Sequence, residues 1–312
     1  MTTLTIDPTP GRSPVLAPAD AELAAEAARL GAPEGRLVAA GDDALWVAEL
    51  GTGRPTVFLH GGGPGCTAWT DFAPTVPLFA ADRRVLLVDM LNFGFSGARP
   101  IVGPRWTGHA ARIAAALETL GITDADFVCN SIGGSAALAL AADHPHLVRK
   151  MVVTGSEPME RGRGPLSEGL GAEGQSAWAD YYAGAGPSRA KLTPIMARLE
   201  WWDGSLIPED RIELRYLYSL SEGQRLIGEH PEAWGEPEDL EDKLRRVRAR
   251  VLFLFGKQDI FVTPAYPVLL SQTVPYADVY LMDDAAHHME EERPADFTAV
   301  VKAFLDSPTA NA

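Results

Sequence analysis

Ser131 ends the apolar run Phe127-Val128-Cys129-Asn130 and is followed by Ile132-Gly133-Gly134 and the alanine-rich stretch Ala136 to Ala142. A strand that turns sharply into a helix around a serine can act as a nucleophile. The turn strains and exposes the hydroxyl, and the helix N-terminus points at the reacting carbon. Small residues two before and two after the serine let such a turn close; Gly133 meets this, and Cys129 stands where glycine is more usual. A serine between a strand and a helix is otherwise an N-cap, so the chemistry depends on companions. One is the loop His60-Gly61-Gly62-Gly63-Pro64-Gly65, directly after the apolar strand Thr56-Val57-Phe58-Leu59. Attack on a carbonyl builds charge on its oxygen. Backbone N–H groups stabilise that charge, each worth about 3 kcal/mol when removed. The reading assigns these donors to Gly62 and to Ile132. Neither Gly-Lys-Ser/Thr nor Gly-x-Gly-x-x-Gly occurs here, which argues against a nucleotide loop. Asp259 follows the strand Val251 to Phe255, and His287 follows the strand Val279 to Met282. Ser131 would attack, His287 would take its proton, and Asp259 would hold the imidazole in the right tautomer.

These residues need a framework that brings strand ends together. From Thr56 to Thr154, strands near 56–60, 84–89, 125–130 and 148–154 alternate with helical patterns, predicting a mostly parallel sheet with helices on both faces. Arg36 to Leu50 reads as a hairpin around Gly41-Asp42-Asp43. The strand rhythm stops over residues 157–236, which predicts an inserted helical cap, and resumes from Arg250 to Leu305. The expected organisation is an N-terminal extension over 1–34, an α/β core over 35–156 and 237–312, and the cap between. Residues 1 to about 17, rich in Pro and Thr, are expected to be disordered, followed by a short helix over Ala19 to Leu30. Ligands of open α/β sheets bind at strand C-terminal ends, beneath such a cap.

Composition narrows the partners. A formal charge of −15 over 312 residues disfavours nucleic acid and anionic membranes. No apolar run reaches the ~20 residues that span a bilayer, and no secretory signal opens the chain. Two cysteines, Cys66 and Cys129, form no disulfide framework and suit a reducing, cytoplasmic compartment. The expected partner is a small molecule.

Four stretches resemble the meta-cleavage product hydrolases, the C–C bond hydrolases of the α/β-hydrolase superfamily. They are His60 to Gly65 continued by Trp69, Asn130-Ser131-Ile132-Gly133-Gly134, the segment Asp203 to Tyr216, and His287-His288-Met289-Glu290-Glu291-Glu292-Arg293-Pro294. The resemblance spans about residues 36 to 306. It implies the α/β-hydrolase fold, no cofactor, a homo-oligomer, and substrates that are 2-hydroxy-6-oxo-dienoates. It also implies that Arg215 and Asn130 hold the substrate's carboxylate end. Gly61, Gly63, Asp71 and His288 are expected around the substrate, with Trp202, one of two tryptophans read as cap core, lining the pocket. A guanidinium fork suits a carboxylate; on the residues alone, Arg215 could equally be a solvated helix residue paired with Glu209 or Asp210. The chain departs from the family pattern at His288 (usually Trp), Asp71 (often Asn), Cys129 and Asn92. An anionic Asp71 would repel a dienoate unless protonated or turned away. These departures keep open an esterase or lactonase on a small ester or lactone, and a non-hydrolytic ligand-binding or cyclising protein on the same fold.

Other residues have plainer readings. His287-His288 and His144-Pro145-His146 lack the spacing of a metal site. Register with the family motif favours His287 over His288 as the base. Glu157 is an alternative acid for the histidine. Asp283 and Asp284 read as solvated loop residues. Trp201 and Trp202 read as neighbours in a helical stretch, Glu290-Glu291-Glu292 as a solvated helix face, and Lys243 to Arg250 as an exposed helix end.

Overall fold

A computed structural model describes residues 16–163 and 170–308. Eight strands form one sheet in the order β1-β2-β4-β3-β5-β6-β7-β8. They are β1 (Gly35–Ala40), β2 (Asp43–Leu50), β3 (Arg54–Leu59), β4 (Arg83–Val88), β5 (Ala125–Asn130), β6 (Val148–Thr154), β7 (Arg250–Gly256) and β8 (Ala277–Met282). β1 and β2 form the expected antiparallel hairpin, β2 runs antiparallel to β4, and the remaining pairs are parallel. This is the α/β-hydrolase fold expected from the alternation of strands and helices.

The central strands are apolar because both faces are covered, as parallel sheets require. In β5 every residue is buried. Phe127 and Cys129 face a core shared with Val57, Leu59, Met151, Phe253 and Phe255. Val128 faces the other core, with Phe58, Val152, Leu252 and Leu254. Helix Arg105–Thr119 packs on the first face through Trp106, Ala110, Ile113, Ala114 and Leu117, the spacing of one helical stripe. Its N-terminus is capped from far along the chain: Trp106 and Thr107 N–H groups donate to Glu238 Oε2, both at 2.9 Å. Its C-terminus closes with Gly121 at φ 68° and bonds from Gly121 to Glu118 and from Ile122 to Leu117, a Schellman ending. Helix Ile132–Asp143 is buried from Gly133 to Ala141, which explains why its sequence is apolar on every side.

Between β6 and β7 lie helices Leu170–Tyr182, Arg189–Ile195, Glu209–Tyr218 and Glu222–Glu229, with a π turn at Met196–Glu200. Trp201 is extended (φ −110°, ψ 144°), so the tryptophan pair does not lie within a helix as read. Pro194 and the π turn end the helix before it. Helix Pro18–Arg29 agrees with the expected short N-terminal helix; the expected disorder falls on residues 1–15, outside the described residues, and on Leu16 and Ala17. Among the described residues no helix is long and apolar enough to cross a membrane. Cys66 and Cys129 are free and buried.

At the N-terminal ends of the strands, fully buried Asp126 accepts from Arg83 Nη1 at 2.8 Å and from Arg149 Nε at 2.7 Å. Removing this acid leaves buried Arg83 with only the exposed Asp306 as an anionic partner and takes the carboxylate from Arg149. Asp126→Ala is therefore expected to destabilise the fold by about 3–5 kcal/mol, read as a lower denaturation midpoint with turnover per folded molecule retained.

Candidate active site

Ser131 has φ 50° and ψ −117°, a strained conformation for a residue with a Cβ. Two bonds hold it. Its N–H donates to Thr154 O at 2.7 Å, and the Gly133 N–H donates to His60 O at 3.1 Å. A Cβ on Gly133 would lie 2.6 Å from the carbonyl oxygens of both Leu59 and His60, so the turn closes only around glycine. Cys129 is accommodated because its side chain points into the core beneath the turn. Ile132 opens helix Ile132–Asp143, and first-turn N–H groups have no partner within a helix.

The glycine loop comes to Ser131 from the end of β3. A Cβ on Gly61 would sit 3.5 Å from Ser131 Cβ, and one on Gly62 would sit 3.1 Å from the Ile132 side chain. The Gly61 N–H is already used, donating to Asp71 Oδ2 at 2.7 Å. This leaves Gly62 beside Ile132, the pair expected to face a developing oxyanion. Asp71 is aimed by its own short helix, Ala68–Phe72, whose capping box joins Thr67 and Thr70. Asp71 is buried and turned to the loop and to the Thr70 hydroxyl. Asp71 therefore spends its carboxylate on the loop backbone and the Thr70 hydroxyl.

Asp259 and His287 meet as the sequence order predicts. His287 Nδ1 lies 2.8 Å from Asp259 Oδ2. Asp259 Oδ1 accepts from the Phe261 N–H at 2.8 Å and the Val262 N–H at 3.2 Å. A carboxylate cannot donate, so Nδ1 carries the hydrogen and Nε2 is left to accept a proton. The His287 backbone is clamped on both sides. Its N–H donates to Glu200 O at 3.1 Å, and its carbonyl accepts from Asn130 Nδ2 at 3.0 Å. Asn130 also donates to Thr154 Oγ1 at 3.0 Å; its amide nitrogen thus positions the histidine. Glu157 is partly buried nearby, and burial pushes its carboxyl up to about 7; the bond to His287 belongs to Asp259.

Beneath the glycine loop is a buried charged cluster that the sequence did not reveal. Arg215 is fully buried and donates from Nη1 and Nη2 to the two oxygens of Glu200, each at 3.0 Å, and from Nε to Pro64 O at 2.8 Å. Glu209 and Asp210, the partners considered from sequence, play no part in this contact. Glu290 and Glu291 are buried, correcting the solvated-face reading. His288 Nδ1 lies 3.2 Å from Glu290 and 3.3 Å from Glu291, as ion contacts without hydrogen-bond alignment. Arg211 Nη1 lies 3.0 Å from Glu291 Oε2 and also donates to Thr70 O. Burial would strip the His288 charge, but Glu290, Glu291, Glu200 and Asp71 outweigh it and hold the ring cationic. Burial pushes Glu290 up to about 7 despite His288. Trp202 is 56% exposed, which corrects its expected place around the substrate; Trp201 is the buried member of the pair. Cys66, Asp71 and His288 bring ligand-type atoms within 4.8 Å of one another. Asp71 and His288 are already engaged with the loop and the cluster, and burial pushes the Cys66 thiol up and holds it protonated. The signal that could have found the cluster was the change from the family pattern at positions 71 and 288 together.

A model of the family described as "alpha/beta hydrolase fold" matches residues 55–294. The chain belongs to the α/β-hydrolase family. It sits among the meta-cleavage product hydrolases of that family. It is 31% identical to a 2-hydroxymuconate semialdehyde hydrolase of Pseudomonas sp. (strain CF600), covering 85% of this chain and 91% of that one. It is 30% identical to a 2-hydroxy-6-oxo-2,4-heptadienoate hydrolase of Pseudomonas putida, covering 87% and 96%. A solved meta-cleavage product hydrolase from Pseudomonas fluorescens IP01 shares the fold, with a TM-score of 0.73 at 22% identity, covering 87% of this chain and 97% of that one.

The environment of His287 sets a pH dependence. Burial disfavours its imidazolium, but Asp259 outweighs this, with Glu200 adding and His288 opposing, so its pKa is raised above 6.5. A base must be neutral to work. The hydrolase rate (kcat/KM) is therefore expected to fall as pH drops through a midpoint above 6.5. In Asp259→Asn the midpoint should move down and the plateau fall on the order of ten-thousandfold. A pH–rate profile of both proteins reads the two effects separately.

Proposed function

We propose that this protein hydrolyses the C–C bond next to the distal ketone of a 2-hydroxy-6-oxo-dienoate or related diketone. Supporting this is one juxtaposition: a strained Ser131 beside Gly62 and Ile132, with the Asp259–His287 pair clamped nearby, in a chain whose relatives carry the names of such hydrolases. The Ser131 hydroxyl adds to the distal ketone while His287 Nε2 takes its proton. The N–H groups of Gly62 and Ile132 receive the oxyanion, the largest single contribution expected of such a site. Collapse of the adduct breaks the C–C bond. Its electron pair passes into the dienoate, which has first been ketonised so that it can accept the pair as an enolate, and His287 returns the proton. The products are a 2-hydroxypentadienoate and an acyl-enzyme, which water, activated by His287, hydrolyses to a carboxylic acid. Asp259 orients and stabilises the imidazolium throughout. No cofactor is needed for these steps.

In this reading residues 157–236 are a cap over the core formed by 35–156 and 237–312. In support, Glu200 and Arg215 come from that segment and pack against the glycine loop. The reading extends to a homo-oligomer in the cytoplasm. The two free thiols suit a reducing compartment, while size measurement by light scattering tests the assembly.

The decisive assay follows bleaching of 2-hydroxy-6-oxo-dienoates with varied 6-substituents, beside a p-nitrophenyl ester. Wild type is expected to bleach the dienoate, and Ser131→Ala to lose at least about a thousandfold in rate. Ester turnover with every dienoate left unbleached would overturn the reading.

A further inference from the structure

Arg215 is placed to be an anion receptor, yet the protein supplies the anion. Its two terminal nitrogens meet both oxygens of Glu200 at 3.0 Å, the planar fork-to-fork geometry in which guanidinium and carboxylate are best matched. Its third edge donates to Pro64 O at 2.8 Å. The pair lies directly against the loop that faces Ser131. A Cβ on Gly63 would come within 2.5 Å of Glu200 Oε1 and 2.6 Å of Arg215 Nη2. Both side chains are buried, so solvent does not weaken the pair.

Glu200 is also held by its backbone. It ends the π turn Met196–Glu200, and its carbonyl accepts from the N–H groups of His287 at 3.1 Å and His288 at 3.2 Å. This fixes the backbone from which the carboxylate reaches the Arg215 fork. A carboxylate on a substrate faces two choices. It can displace Glu200 and leave that acid buried without its partner, or it can bind without Arg215. Either choice removes most of the advantage a negative charge would otherwise gain here. The other cations of the cluster are engaged as well: His288 is surrounded by Glu290, Glu291, Glu200 and Asp71, and Arg211 meets Glu291.

We propose that Glu200 is a specificity-determining residue: by filling the Arg215 fork with the protein's own carboxylate, it makes this site nearly indifferent to a substrate carboxylate. The inference rests on the diketone reading above for its substrate class. The chain then accepts diketones whose polar end is an uncharged ester, amide or ketone about as well as those ending in a carboxylate.

The test compares each acid with its methyl ester. In wild type, kcat/KM for a 2-hydroxy-6-oxo-dienoate and for its methyl ester should agree within about tenfold, less than a free charge-assisted pair would give. In Glu200→Gln the fork loses its anionic partner and keeps only a neutral amide that a carboxylate can displace, so the acid-to-ester ratio should rise by about ten- to hundredfold, chiefly through KM. A purely structural role would lower both substrates together and leave the ratio unmoved. Wild type favouring the acid by more than about a hundredfold, or a Glu200→Gln ratio that stays level or falls, overturns the proposal. Should Glu200→Gln fail to fold, Glu200→Asp, which draws the carboxylate back from the fork, is read the same way. A second pair, p-nitrophenyl hydrogen glutarate and p-nitrophenyl methyl glutarate, carries the same comparison on an ester bond. If no diketone is cleaved but this pair shows the predicted ratios, the diketone reading has failed and the assignment of Glu200 stands. If diketones are cleaved with strong acid preference in wild type, the reverse holds.

Discussion

The backbone of Ser131 is the constraint on which the rest of the site depends. A non-glycine residue at φ 50° and ψ −117° costs on the order of 1–3 kcal/mol, and it persists only where its surroundings over-determine it. Here β5 enters with every residue buried, β6 supplies the Thr154 carbonyl, and the end of β3 supplies the His60 carbonyl. Three adjacent parallel strands thus fix the two peptide units that flank the turn. The crowding that demands glycine at position 133 is the same crowding that brings the loop at 60–65 to the serine. The sheet order, with β3 beside β5 and β5 beside β6, is therefore what makes the strained turn possible.

The second organising feature is a balanced buried charge cluster. Asp71, Glu200, Glu290 and Glu291 face Arg211, Arg215 and His288. Four acids against three cations would leave an uncompensated buried charge, which is strongly unfavourable. Burial resolves this at Glu290, whose carboxyl is pushed up to about 7 and can carry a proton near neutrality. Glu200 stays ionised because Arg215 and His288 outweigh its burial. The cluster supports the glycine loop from below, through Asp71 to Gly61 and Arg215 to Pro64. It therefore sets the shape of the surface that a carbonyl oxygen would meet.

What the sequence made legible was local or periodic. The central parallel strands are buried on both faces and read as apolar runs, and Ser131 and Asp259 lie just past such runs, while His287 follows the half-exposed edge strand β8. The glycine loop was readable because only glycine permits that close approach. The partner of Arg215 was not readable, because it depends on a π turn after Pro194 that rotates Glu200 inward. Regular helical spacing does not forecast that offset. The same limit misassigned the Glu290-Glu291-Glu292 run. Three consecutive acids resemble a solvated face until Arg211, His288 and the Ala286 and Trp202 N–H groups are seen around them. Trp202 escapes its expected place for the same reason, since an extended residue after the π turn sends the Trp201 ring inward and the Trp202 ring out.

The Glu200 carbonyl adds a mechanical consequence. It accepts from both His287 and His288 N–H groups while its side chain holds Arg215, and Arg215 holds Pro64. One residue from the segment between β6 and β7 thereby joins the histidine loop, helix Glu209–Tyr218 and the glycine loop. Gly65 shows how tight that junction is, for a Cβ there would lie 1.7 Å from the Arg215 carbonyl oxygen. A segment bonded in this way cannot lift from the core as a free lid. Any movement that lifted it there would release the His287 N–H and the Pro64 carbonyl, loosening the histidine loop and the loop carrying Gly62 in one event. Motion of this segment and assembly of the reacting groups are consequently coupled through the same few bonds.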